Sequence, residues 1–140
     1  MVVILMLADA AICRRSIAWM KTLPDILKFS YGTYSAFVLH GSFHETSEFI
    51  FASTPWQVKQ NNFIDTQSNV ILAGHCGLPF GQKKDNQHWL NAGVIGMPAN
   101  DGKTDVWYLL LDLLQDGTIR YQHHSCAYDF ATAAHLMRKN

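Results

Sequence analysis

Short apolar runs bounded by polar residues or glycine dominate the middle of the chain. Residues 35–40 and 70–74 are nearly continuous apolar stretches, which is typical of strands buried on both faces of a sheet. Between them, residues 55–63 suit a helix, with Pro55 in its first turn and Thr54 as a candidate cap. Strand, helix and strand in this order predict a parallel βαβ unit.

Three further segments are predicted to be helical. Residues 12–20 place their large apolar side chains near one side, and Pro24 marks the end of that helix. A short helix over residues 25–29 is predicted next. The alanine-rich segment 129–137 is predicted to form the last helix, with Asp129 capping its start and basic residues at its end.

The second half of the chain has the pattern of antiparallel strands. Residues 88–95, 106–112 and 118–124 are predicted strands, and Asp-Gly turn signals lie between them at 100–102 and 115–117. These three strands are predicted to form a meander.

Length and composition indicate one folded unit. The chain has 140 residues, of which 49% are hydrophobic and 16% charged, enough for one domain with a core and too few for two ordinary ones. We therefore expect a single domain over residues 1–140.

Charge and hydropathy exclude several classes of partner. Eleven basic residues balance eleven acidic ones, and no basic stripe is present to neutralise a run of phosphates, so nucleic acid is not expected. No stretch reaches the roughly 20 apolar residues of a membrane helix. The apolar run 1–12 is interrupted by Asp9 and has no basic residues before it, unlike a signal peptide. We predict a cytoplasmic protein with no membrane segment and with reduced thiols at Cys13, Cys76 and Cys126.

His40 and His75 follow the two buried strands directly. Parallel strands place their carboxyl ends at the same edge of a sheet, where open α/β sheets usually bind ligands, so the two side chains are expected to converge. Neutral imidazole is a good ligand for zinc, manganese or iron. A catalytic metal centre, however, generally needs at least three protein ligands, and two-metal phosphatases add bridging carboxylates.

Each candidate also has a simpler interpretation. His40 could be an edge histidine satisfied by backbone groups, and Cys76 is interpreted as a structural thiol rather than a ligand or nucleophile. Adjacent residues of a strand face opposite sides, so His123 and His124 cannot easily share an ion and are predicted to be exposed. The turn at 91–93 is interpreted as structural. No role is assigned to the remaining histidines, His44, His88 and His135.

Four segments together resemble calcineurin-like metallophosphoesterases in their order and spacing. They are Phe-Val-Leu-His-Gly at 37–41, Val-Ile-Leu-Ala-Gly-His at 70–75, Leu-Pro-Phe-Gly at 78–81 and Trp-Leu-Asn-Ala-Gly-Val-Ile-Gly-Met-Pro at 89–98. The resemblance covers roughly residues 19–112. It implies an α/β fold that corresponds to the C-terminal half of a metallophosphoesterase β-sandwich flanked by helices. A short parallel βαβ segment would precede an antiparallel meander and a C-terminal helix.

The resemblance implies that His40 and His75 bind the same divalent metal, Mn, Zn or Fe. Where the family usually has a second histidine in this motif, the chain has Gly77. A subset of the family has the motif Gly-His-x-Gly-Leu-Pro-Phe, which this chain resembles. The family's opening motifs, Asp-x-His, Gly-Asp-x-x-Asp and Gly-Asn-His-Asp/Glu, do not occur upstream of His40. A standard dinuclear centre is therefore not expected from this chain alone, and no catalytic residue is assigned.

Three functional readings follow. The first is a metal-dependent phosphoesterase that acts on a phosphate ester and receives its carboxylates from another chain, such as a complementing N-terminal half. The second is a non-catalytic remnant or interaction module, as a retromer scaffold subunit with this fold suggests. The third is an unrelated small α/β domain. An uncovered sheet edge and apolar surface would also favour self-association.

Overall fold

The structure is a computed structural model that describes residues 14–99 and 101–139. Its helices and strands follow one another as α1 (Arg14–Met20), β1 (Leu27–Tyr31), β2 (Tyr34–Val38), α2 (Trp56–Thr66), β3 (Val70–Ala73), β4 (Phe80–Lys84), β5 (Gln87–Asn91), β6 (Val106–Leu113), β7 (Ile119–Cys126) and α3 (Phe130–Lys139). No helix in the described segments is long and apolar enough to cross a membrane.

The strands form two sheets. The larger has five strands in the order β1-β2-β3-β5-β4, and the smaller is the hairpin β6-β7. In the larger sheet β2, β3 and β5 run parallel, whereas β1 and β4 are antiparallel to their neighbours at the two edges. The predicted βαβ unit is therefore confirmed as β2-α2-β3.

The three central strands of the larger sheet, β2, β3 and β5, are buried on both faces. On one face Phe37, Ile71 and Trp89 pack with Phe63 of α2. Alternate residues of the same three strands face the hairpin β6-β7, and these are Ala36, Val70 and Leu90. Because successive side chains of a strand point to opposite faces, two-sided burial requires the continuous apolar runs seen in the sequence. The result is a layered arrangement of helix, sheet and hairpin.

The predicted helix at 25–29 is wrong, because β1 occupies most of that segment. β1 pairs with β2 along its whole length, from Leu27 opposite Val38 to Tyr31 opposite Tyr34. Gly32 has a φ of 60° and makes the tight turn between the two strands. Pairing with the buried strand β2 determines the conformation of this segment.

The cap predicted for α2 differs as well. Pro55 is the N-cap residue and makes no side-chain capping bond, whereas the Thr54 hydroxyl accepts a hydrogen bond from Phe51 N at 2.9 Å. Thr54 thus closes the preceding loop. At the other end of the chain the predicted cap is confirmed, because Thr132 N donates to Asp129 Oδ1 at 3.0 Å.

The antiparallel strands in the second half of the chain form two hairpins in different sheets. The first is β4-β5, in which the polar segment of β4 has no strand pattern. β5 also lies parallel to β3, so it belongs to the central sheet, and the predicted three-stranded meander with β6 and β7 does not form. The second hairpin is β6-β7, joined by the predicted turn at 115–117, where Gly117 has a φ of 81°. Helix α1 confirms the predicted helix for residues 14–20, while residues 12 and 13 lie outside the described residues.

Candidate metal centre

His40 and His75 lie at the carboxyl edge of the five-stranded sheet, each two residues beyond its strand. The backbone ladder continues past the strand ends, because Leu39 N donates to Leu72 O at 3.0 Å and Gly74 N donates to His40 O at 2.9 Å. These bonds bring the two rings together, with His75 Nδ1 3.0 Å from His40 Nε2. The predicted convergence of the two histidines is confirmed.

The separation of the two nitrogens is suitable for two neighbouring ligands of one metal ion. Ligands that are 2.0–2.1 Å from a metal stand about 3.0 Å apart at a right angle and about 3.4 Å apart at the tetrahedral angle. The other nitrogen of His75, Nε2, is buried and has no hydrogen-bond partner among the described residues. Metal-bound imidazoles usually donate that second N–H to a neighbouring acceptor. A further hydrogen-bond acceptor at this edge would therefore be needed to bond the second N–H of a metal-bound His75.

Electrostatics favour the neutral form of His40. Partial burial, and then the charge that a protonated His75 would carry, lower the pKa of His40. A neutral imidazole offers a lone pair, which is the form that binds metal. The spacing of the pair and the neutral form of His40 are thus both suitable for coordination.

A complete metal site does not fit the residues that are described. Within residues 14–99 and 101–139, no group of three histidine, cysteine or acidic side chains is placed to hold an ion. Gly77, where the resembling family usually has histidine, has a φ of 73°. This left-handed conformation favours glycine, although a Cβ added there would meet only a Val94 methyl group at 3.9 Å. The described part of the chain thus places two nitrogen donors at this edge and no carboxylate beside them.

An aromatic loop that the sequence did not single out borders the pair. The Phe49 ring lies 4.3 Å from the His75 ring between centroids, and Phe51 stacks on Phe49 at 5.9 Å. Lys59, fully buried on α2, donates from Nζ to Phe51 O at 2.8 Å and to Thr54 O at 2.7 Å. A fully buried lysine is rare, so its residue type gave no signal of this role.

Buried polar groups lie beneath the loop that carries His75. The side-chain amide of Asn91 donates to Gly74 O and to Cys76 Sγ, the latter at 3.2 Å. Burial raises the pKa of the Cys76 thiol, which favours the neutral thiol. The neutral thiol agrees with the interpretation of Cys76 as structural. The two hydrogen bonds also give Asn91 more contacts than a simple turn residue would have.

The other histidines do not reach this edge of the sheet as ligands. His123 and His124 face opposite sides of β7, as predicted, but both are half-buried rather than exposed. His123 Nε2 donates to Asn91 O at 2.8 Å, and His124 stacks on Tyr108 at 5.3 Å. His44 pairs with Asp65, His88 is buried in β5 and His135 is exposed on α3.

Comparison with solved structures identifies the fold. A metallophosphoesterase from Sphaerobacter thermophilus matches 93% of this chain with a TM-score of 0.70 at 18% sequence identity. The hypothetical protein PH1004 from Pyrococcus horikoshii OT3 matches 89% of the chain with a TM-score of 0.71 at 15% identity. Vps29 from Entamoeba histolytica, solved in complex with Zn²⁺, matches 74% with a TM-score of 0.51 at 13% identity. These matches show that the chain has the fold of calcineurin-like metallophosphoesterases.

The similarity is one of structure and covers part of each neighbour. The chain spans 48% of PH1004, 59% of the Sphaerobacter protein and 62% of the Entamoeba Vps29. No protein-family model matches the sequence, and no curated protein matches it significantly. The α/β fold class predicted from the sequence is confirmed, including the metallophosphoesterase-type arrangement of its sheets.

Proposed function

We propose that this chain contributes a two-histidine half of the metal centre of a metal-dependent phosphoesterase. The observation that carries the proposal is the 3.0 Å approach of His75 Nδ1 to His40 Nε2 at the carboxyl edge of the sheet. The metallophosphoesterase fold supports it. Carboxylate ligands would come from a further part of the protein or from another chain.

His40 and His75 would hold a divalent ion, Mn, Zn or Fe, through these two nitrogens. Such an ion, when bound with carboxylates, polarises a phosphoryl oxygen and lowers the pKa of water beside it. The chain's own contribution is to orient the two imidazoles and to favour the neutral form of His40. Phe49, packed against His75, would exclude water from one side of that ring.

Metal titration tests the proposal directly. The purified chain would be titrated with Zn²⁺ and with Mn²⁺ by calorimetry, and its bound metal would be measured by elemental analysis. We expect a bound ion that is lost in His40→Ala and in His75→Ala and kept in the matched control His135→Ala, whose side chain is exposed on α3. Equal metal content in all four proteins would contradict the proposal.

A chain that binds metal then justifies a hydrolysis assay. p-Nitrophenyl phosphate and bis(p-nitrophenyl) phosphate distinguish monoesterase from diesterase activity. We expect little turnover by the chain alone, since no carboxylate lies beside the pair among the described residues. Turnover should appear when a segment carrying the family's Asp- and His-containing opening motifs is supplied in trans.

The second candidate function is a non-catalytic interaction module. It is favoured by apolar side chains on the edge strand β1, where Leu27 is 52% exposed and Phe29 39% exposed. These residues lie on the face of the sheet that the hairpin β6-β7 covers farther along. Sedimentation velocity would test this reading: association that disappears in Leu27→Glu/Phe29→Glu, with no metal binding, would favour it over the phosphoesterase.

A further inference from the structure

The backbone of His75 is unusual for a residue with a side chain. Its φ is 57°, in the left-handed region that costs most L-residues about 1–2 kcal/mol. Such conformations persist only where the surrounding structure enforces them, and they concentrate at functional sites. The group that enforces the conformation at His75 therefore also sets the direction of its ring.

Asn91 contacts the chain on both sides of His75. Its Nδ2 donates to Gly74 O, just before the histidine, and to Cys76 Sγ, just after it, at 3.2 Å. The remaining polar atom, Oδ1, accepts from Gly93 N at 3.0 Å. The side chain is fully buried, so no water competes for these bonds and leaving any of them unmade would be costly.

Asn91 is itself held at a fixed place in the sheet. It is the last residue of β5 and lies opposite Ala73, the last residue of β3. Ala92 N donates to Ala73 O at 3.1 Å, and His123 Nε2 from the second sheet donates to Asn91 O at 2.8 Å. A rigid anchor linked to both sheets thus supports the loop.

We propose that Asn91 is a positioning residue that fixes the left-handed backbone of His75 and thereby points its imidazole at His40. Only an amide supplies both the two donors for Gly74 O and Cys76 Sγ and the acceptor for Gly93 N. A carboxylate would keep the acceptor and lose the donors, and an apolar side chain would lose all three. The consequence for metal affinity rests on the proposed function, whereas the positioning of the ring does not.

The test uses Asn91→Leu and Asn91→Asp in the complete chain, with two matched controls. Asn62→Leu removes another buried asparagine, which bonds Phe43 N and Val58 O on α2. It reports what loss of a buried amide does to stability alone. Asn61→Leu changes an exposed asparagine on the same helix.

The first readout is the imidazole ¹⁵N signals of His40 and His75 in the metal-free protein at one fixed pH. We expect both signals to change in the Asn91 variants and to stay at their wild-type positions in both controls. If Asn91→Leu does not fold, Asn91→Asp carries the same expectation, because it keeps the size and the acceptor. Should neither variant fold, a crystal structure of Asn91→Ser would show whether residue 75 leaves the left-handed region.

The second readout is Zn²⁺ affinity, which should weaken about 10- to 100-fold in the Asn91 variants, as for other supporting partners of metal ligands. Altered imidazole signals without Zn²⁺ binding by the wild type would overturn the proposed function and leave the positioning role standing. Unchanged imidazole signals in a folded Asn91 variant, or an unchanged φ at residue 75 in Asn91→Ser, would overturn the positioning role itself.

Discussion

The ring of Tyr121, on β7, lies directly against Gly81, on the edge strand β4, so closely that a Cβ at position 81 would overlap the ring. This contact joins the two sheets at one side of the sandwich. The contact also helps to keep the polar strand β4 in the sheet, because Gly81 leaves room for an aromatic ring of the other sheet to pack against it.

Gly81→Ala should therefore push the hairpin away from the central sheet. Overpacking of this kind typically costs about 1–3 kcal/mol, and we expect a loss of that size in urea unfolding. Gly96→Ala is the matched control, because a Cβ there meets nothing within 4 Å. Equal stabilities of the two variants would show that Tyr121 moves aside freely.

Lys59→Met should destabilise the loop beside the candidate metal centre. The substitution keeps the apolar stem but removes the ammonium that bonds Phe51 O and Thr54 O. Hydrogen bonds to charged groups contribute about 1.5–3 kcal/mol each, partly offset by relief of a buried charge, so a net loss of about 2–4 kcal/mol is expected. Thermal unfolding would measure it against Lys103→Met, which changes an exposed lysine.

Because of His88, the protein should have a lower free energy of unfolding in mild acid than at neutral pH. Its side chain is 3% exposed and neither ring nitrogen has a hydrogen-bond partner in the described part of the chain. Burial, and then the charge of Lys83, lower the pKa of His88. Below the ordinary histidine pKa of about 6.5, the unfolded chain therefore binds a proton that the folded chain does not, and the free energy of unfolding falls as the pH falls. The decline stops once the pH passes below the folded-state pKa.

His88→Phe tests this pH dependence. The phenyl ring keeps the edge-on contact with Tyr34 and removes the two unpartnered nitrogens. We expect the variant to be more stable by about 1–2 kcal/mol near pH 5.5 and to show a flatter profile in chemical denaturation from pH 5 to 8. His40, whose pKa is also lowered, would leave a residual slope. The control His135→Gln should keep the wild-type profile.

Ile71 reports on the core between the sheet and α2. Its side chain is fully buried in β3 and packs in one cluster with Trp89 and Phe63. Ile71→Ala should cost about 2–5 kcal/mol through lost burial and the cavity left behind. Ile64→Ala on α2, where the side chain is 61% exposed, should cost far less, and a similar loss in both variants would contradict the layered packing.

Much of the candidate site followed from local patterns. The runs at 35–40 and 70–74 identified the central strands because a strand buried on both faces must be apolar throughout. The helix between them then required a parallel crossover, and that geometry placed His40 and His75 at one edge. Their convergence was predicted, whereas the 3.0 Å separation of their ring nitrogens depends on the folded structure.

Other features depended on partners that are distant in the sequence. Lys59 has no local signal in the sequence, and Asn91 has only that of a turn residue. Their further roles arise from contacts with segments that only the folded chain brings near. The left-handed backbone of His75 could not be predicted either, since no sequence pattern indicates which non-glycine residue takes a positive φ.

The sequence by itself determined the parallel core and the edge at which two imidazoles meet, because two-sided burial and the βαβ crossover are local constraints. Tertiary structure decided the rest. It made residues 27–31 a strand through pairing with β2, and it placed β5 beside β3 rather than beside β6. Which strands become neighbours depends on the free energy of packing distant segments together, and that energy is not encoded in any single stretch of the chain.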